Sequence, residues 1–245
     1  MTIGLRAAWR LLRCVVHVLH GVAIVLLRFG TLDAAQRHAR VRWFSVRMLR
    51  LMGIAVQVEG RVNAGGVLLA ANHISWLDIT ALHAVVPHAR FVSKADIQSW
   101  PLLSRLADAA NTLYLERERK RDALRVVHLV ALALSEGQTV AVFPEGTTSD
   151  GHTLLPFHAN LFQAAIATGT KVQPVALRFS DARVGVSPAV EFVGATTLVE
   201  SLWRVACADR LVAHITLLPA RPSAHADRRA LAQTLRDDIA AQLAR

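Results

Sequence analysis

Residues 67 to 78 read Val67-Leu68-Leu69-Ala70-Ala71-Asn72-His73-Ile74-Ser75-Trp76-Leu77-Asp78. The apolar run 67–71 predicts a β-strand, and the polar residues after it fall where that strand ends and a helix begins. The ends of strands in α/β sheets are where ligands bind, so His73 and Asp78 become candidate functional groups. Their spacing constrains the geometry: on a continuous helix they would lie about 140° apart around the axis. They meet only if His73 sits in the turn. Ser75 as N-cap would put Asp78 in the first helical turn and let the imidazole fold back to the carboxylate, which would fix its tautomer for general-base work. Ser75 to Asp78 is equally a capping-box-like sequence, in which Asp78 only caps the helix and His73 is a turn residue.

Outward from this stretch, short apolar runs alternate with longer helical patterns, the signature of an α/β domain. Strands are predicted near 54–59, 66–71, 90–93, 112–115, 138–143, 172–178, 188–193 and 211–219. Helices are predicted near 76–86, 95–107, 119–136, 159–168, 197–207 and 223–243. A second polar stretch, Phe143-Pro144-Glu145-Gly146-Thr147-Thr148-Ser149-Asp150-Gly151, follows the apolar run Val140-Ala141-Val142. Pro144 and Gly146 shape a tight loop whose amides and hydroxyls suit phosphate, with Glu145 expected to position a ligand hydroxyl or a basic group. A third stretch runs from Phe91-Val92-Ser93-Lys94 through Trp100-Pro101 to Tyr114-Leu115-Glu116-Arg117. Arg117 directly follows a predicted strand and could clamp an anion, whereas Arg119, Lys120 and Arg121 read as a solvated helix face.

The charge is uneven. The chain has 245 residues and a formal net charge of +10, and of its 28 basic residues only Lys94, Lys120 and Lys171 are lysines. Arginine suits phosphate because its planar fork bonds two oxygens at once. Residues 1 to 60 hold nine arginines against Asp33 and Glu59, so an anionic partner is expected there. That partner is expected to be a bilayer surface, because Cys14 to Leu27 form an uncharged apolar run and residues 34–52 repeat Arg37, Arg40, Arg47 and Arg50 at helical spacing among Val41, Phe44 and Met48. Fourteen uncharged residues are short for a span, which needs about 20. No small-residue cleavage site follows Arg28. No nucleic-acid motif accompanies the basic end. No Gly-x-Ser-x-Gly elbow supports a serine hydrolase. Cys14 and Cys207 are far apart in apolar stretches, which argues for a reducing setting and against a cysteine metal site.

In this order the motifs resemble the glycerolipid acyltransferase family typified by bacterial 1-acyl-glycerol-3-phosphate acyltransferase. Asn72, His73, Ser75 and Asp78 match its first block; Tyr114 to Arg117, with Lys94 and Pro101 upstream, its second; Phe143 to Thr147 its third; Pro174 and Val175 its fourth. The resemblance implies an α/β fold with a single mixed-sheet domain flanked by helices over residues 53–245, and membrane-associated helices over residues 1–52. It implies His73 and Asp78 as catalytic residues, and Asn72, Ser75, Arg117, Glu145, Gly146 and Thr147 as substrate-binding residues. Neither metal nor cofactor is expected. The expected partners are a lysolipid acceptor, an acyl-coenzyme A or acyl carrier protein donor and an anionic membrane, at the cytoplasmic face of the inner membrane. Two departures bear on the acceptor: Thr148 stands where many phosphatidate-forming relatives carry arginine, and Phe157-His158-Ala159-Asn160 replaces a lysine-glycine pair. The threonine form is similar to a branch that includes lyso-ornithine lipid acyltransferases. A non-catalytic lipid-binding protein on the same fold is the alternative.

Overall fold

The computed structural model describes residues 2–94, 98–115 and 120–245. Seven strands form one mixed sheet: β1 (Ile54–Gly60), β2 (Leu68–Ala71), β3 (Arg90–Lys94), β4 (Leu113–Leu115), β5 (Val140–Val142), β6 (Val172–Ser180) and β7 (Leu211–Leu217), in the order β1-β7-β6-β2-β5-β3-β4. Only β6 and β7 pair antiparallel. β2 is therefore central, and its four residues are all buried. The alternation of a strand divides them between two cores. Leu69 and Ala71 face one helical layer, while Leu68 and Ala70 face the other with Val126, Val130 and Leu235.

The first layer contains α1 (Ile3–Arg28), α2 (Ala34–Met52), α3 (Leu77–Val85) and α7 (Leu198–Cys207), with α4 (Pro101–Ala109) against α1. The second contains α5 (Lys120–Ser135), α6 (Gln163–Thr168) and α8 (Arg228–Leu243). α2 starts in a capping box between Asp33 and Gln36 and stops at Gly53, whose φ of 81° is left-handed. α1 is fastened to the end of α7: Arg10 donates to the carbonyls of Ala206 and Ala208, and Arg6 to that of Cys207. These guanidinium groups satisfy orphan carbonyls at the C-terminus of α7 and complement its dipole.

Seven of the eight predicted strands are present, and 188–193 is not a strand. Pro188 supplies no backbone N–H to a ladder, and the segment turns at Val190, whose N–H donates to Ser187 O at 3.4 Å. Val190 nevertheless packs into the first core. The last helix begins at Arg228, five residues later than expected at 223, because Ser223 is buried and gives its hydroxyl to Ala165 and Thr170 carbonyls while Asp227 caps the helix. The predicted helix 95–107 starts at Pro101 within the described residues, where proline is pre-organised for a first turn.

Candidate active site

Asn72 ends the central strand. Its carboxamide takes both backbone groups of Leu177 on β6, donating to O at 2.9 Å and accepting from N at 2.7 Å. The side chain thus replaces the next main-chain rung, and the main chain is free to turn away. His73 lies in that turn, with its side chain 18% exposed beside a fully buried Asp78.

Asp78 gathers the turn with one atom. Its Oδ2 accepts from His73 Nδ1 at 2.7 Å, Ile74 N at 2.6 Å and Ser75 N at 2.8 Å. Because a carboxylate only accepts, Nδ1 carries the hydrogen and Nε2 presents its lone pair. Nε2 has no hydrogen bond among the described residues. The expected N-cap is shifted by one: Trp76, not Ser75, occupies that position and its side chain makes no cap bond, while Ser75 Oγ takes Leu77 N at 3.4 Å and the Asp78 carboxylate holds both the Ser75 N–H and the imidazole. The other oxygen, Oδ1, is buried and unpartnered among the described residues, so the negative charge is stabilised almost wholly through Oδ2 and the start of α3.

The loop after β5 forms the rest of the seat. Glu145 Oε1 accepts the N–H of His73 at 2.7 Å, and Oε2 accepts that of Leu155 at 2.9 Å. The His73 carbonyl accepts from Ser149 N at 2.8 Å and Ser149 Oγ at 3.1 Å. The ring stacks on Phe143 at 4.0 Å between centroids and 13° between planes. The backbone N–H and carbonyl of His73, its Nδ1 and one face of its ring are thus all held. Burial pushes the Glu145 carboxyl up from its ordinary range, and the amides of Leu155 and His73 pull it back. Gly146 has a φ of 73°, which favours glycine, and a Cβ there would come within 2.8 Å of His158 Cδ2 and displace that ring.

Three residues expected to contact substrate do something else. Asn72, Ser75 and Glu145 are buried, and the hydrogen bonds of their side chains go to the protein's own backbone. They hold His73 and the chain on either side of it. Thr147 is exposed at the mouth of the loop, and Arg117 lies outside the described residues. Thr148, the departure from arginine, donates its hydroxyl to the Phe192 carbonyl and so faces the protein. Ser149 and Phe143 act on His73 without having been singled out. The signal was their membership of a hydroxyl-rich loop directly after a strand.

At the end of the central strand of a mixed α/β sheet, a buried carboxylate thus orients a histidine. Residues 53–178 match the family model described as Acyltransferase. Over 196 residues, 79% of this chain and 75% of the relative, the chain is 38% identical to the 1-acyl-sn-glycerol-3-phosphate acyltransferase of Neisseria meningitidis serogroup B. Over 198 residues, 80% of the chain and 75% of the relative, it is 37% identical to the lyso-ornithine lipid O-acyltransferase of Pseudomonas aeruginosa. The fold matches the crystal structure of the 1-acyl-sn-glycerophosphate acyltransferase of Thermotoga maritima at a TM-score of 0.67 and 19% identity, over 96% of this chain and 98% of that one. The chain belongs to the Acyltransferase family, among the lysophospholipid acyltransferases.

Proposed function

We propose that this enzyme transfers a fatty acyl group from an acyl thioester to the free hydroxyl of 1-acyl-glycerol-3-phosphate, giving phosphatidic acid. The observation that carries the reading is the 2.7 Å bond between His73 Nδ1 and Asp78 Oδ2, which leaves Nε2 as the base. The relative from N. meningitidis supports the choice of acceptor. Nε2 takes the proton of the acceptor hydroxyl as that oxygen attacks the thioester carbonyl, and Asp78 stabilises the imidazolium that forms. The tetrahedral intermediate then expels the sulfur, which takes the proton from His73, so ester and thiol leave and the imidazole returns neutral. No acyl-enzyme is needed, because a thioester is already activated and proximity with base catalysis supplies the acceleration. Arg117 and Thr147 hold the acceptor headgroup or the phosphates of the donor, which is acyl-coenzyme A or acyl carrier protein.

A second acceptor is favoured by one observation: Thr148 is spent on the Phe192 carbonyl, where an arginine would offer charge to a phosphate. With the P. aeruginosa relative at nearly the same identity, this supports lyso-ornithine lipid, whose headgroup carries no phosphate.

The enzyme works at the cytoplasmic face of the inner membrane, on an anionic surface. α1 is the one helix among the described residues long and apolar enough to cross a bilayer. Its fastening along α7 and α2 supports a helix lying in the interface instead, with Leu5, Trp9, Leu12, Val16 and Leu19 outward.

The test is thiol release by purified enzyme from acyl-coenzyme A and from acyl carrier protein, with each lysolipid in turn. Release only with 1-acyl-glycerol-3-phosphate is expected; release only with lyso-ornithine lipid moves the acceptor to the second reading. His73→Ala is expected to abolish release and keep the fold; appreciable turnover by it would sink the base.

A further inference from the structure

Arg236 on α8 lies outside every motif considered above, yet its guanidinium reaches the loop that seats His73. Nη2 donates to Leu154 O at 2.6 Å and Nε to Leu155 O at 3.1 Å. Leu154 O and Leu155 N belong to the same peptide group, and that N–H donates to Glu145 Oε2 at 2.9 Å. The other oxygen of Glu145 holds the His73 N–H at 2.7 Å. One continuous path therefore runs from the guanidinium through a peptide and a carboxylate to the backbone of the histidine.

We propose that Arg236 is a positioning residue for the acyl transfer, acting on His73 through the Leu154–Leu155 peptide and Glu145. A cation on the carbonyl oxygen of a peptide polarises the group and makes its N–H a stronger donor, so the bonds of the path strengthen one another. A buried carboxylate needs such donors, because each acceptor left unpaired away from water costs stability and lets the side chain swing. The two-pronged contact suits arginine, whose rigid planar fork presents Nε and Nη2 to the two carbonyls at once, better than lysine, whose donors sit on one atom at the end of a flexible stem. Arg236 thus ties the C-terminal helix to the seat of the histidine across the second helical layer. Neighbouring Asp237 lies 4.0 Å from Nη1 and leaves the two carbonyl contacts undisturbed. A cleft of about 400 Å³, lined by Pro156, Phe157, Arg229, Gln233 and Arg236, opens onto the guanidinium, so a small solute can reach it.

The inference rests on the reading of His73 as the base, and the experiment separates the two. Steady-state kinetics on the full chain compares wild type with R236A, R236K, R229A and H73A, with thermal midpoints for each. R236A is expected to lose about 10- to 100-fold in kcat with KM within about twofold, the pattern of a misplaced reacting group. Added guanidine is expected to recover part of that loss in R236A and none in H73A. R236K, which keeps the charge and one contact and serves where R236A does not fold, is expected to recover kcat incompletely. R229A, an exposed arginine on the same cleft, is expected to keep wild-type kcat. An inactive H73A beside wild-type kcat in R236A and R236K, or a loss in them confined to KM, overturns the role of Arg236 alone. An active H73A overturns the base reading instead.

Discussion

The carboxylate of Glu145 bonds the backbone N–H of His73 at 2.7 Å, so the acid of the Phe143–Thr147 block is a support for the histidine and not a contact for the headgroup. Two stretches separated by 72 residues thereby become one device, joined where β2 and β5 end side by side as parallel neighbours. With Ser149 on the His73 carbonyl, Phe143 beneath its ring and Asp78 on Nδ1, the imidazole is held in place while Nε2 makes no hydrogen bond among the described residues.

Glu145→Gln is expected to lower kcat by at least about 10-fold, because an amide offers one acceptor where two backbone N–H groups wait, and its NH2 then faces a donor. The thermal midpoint falls too, since a buried unsatisfied donor costs about 1–3 kcal/mol. Turnover assays and thermal melts check both, and full turnover in the variant would contradict the seat.

Asp78→Asn keeps an oxygen for the amides of Ile74 and Ser75 but removes the charge that stabilises the imidazolium. A loss of about 10³- to 10⁴-fold in kcat is expected, as for other histidines whose carboxylate is neutralised, with a native circular dichroism spectrum. A loss in KM alone would assign Asp78 to substrate binding.

His83 sets an acid limit on stability. Burial pushes its imidazole down to about 4, against which the Ala89 carbonyl acts weakly, and its ring meets the edge of Phe91 at 4.6 Å. The unfolded chain takes up this proton near pH 6.5 and the folded chain only near 4, so between them the unfolded state binds more protons. Stability from this group is therefore full above about pH 6.5 and falls as pH drops to 4, by about 3 kcal/mol in all. Urea titrations from pH 7 to 4 measure the slope, and His83→Gln, which can donate but not ionise, is expected to flatten it.

Much of this was legible in the chain because the decisive signals are local. Residues 68–71 of the apolar run form a strand, Asp78 does meet His73 in the turn, and α2 spans the basic stretch 34–52. What stayed hidden depends on partners distant in sequence. Nothing near Asn72 shows that Leu177 will take its amide, and nothing near Glu145 shows that His73 and Leu155 will take its oxygens. Polar residues beside a strand end read as substrate contacts by default, and three here proved to be the supports of one. Residues 188–193 form no strand although their apolar content suggests one: Pro188 supplies no N–H to a ladder, and of the six only Val190 is buried.

The exposed face of α1 yields a test that separates docking from catalysis. Leu12 and Val16 are 54% and 58% exposed, so Asp at both positions leaves the core intact. In an interface each apolar side chain contributes about 1.5–3 kcal/mol when fully buried, and a carboxylate there would also repel an anionic surface. The double variant is expected to lose at least about 10-fold in cosedimentation with phosphatidylglycerol vesicles. Turnover of lysolipid presented in those vesicles should fall with it, whereas turnover of a short-chain, monomeric acceptor should stay at the wild-type rate, because the path from Asp78 through His73 to Glu145 does not involve α1. Equal loss with both acceptors would mean that α1 shapes the site itself, and unchanged sedimentation would move the membrane contact to another face, such as that of Trp100 and Leu102 on the α4 side.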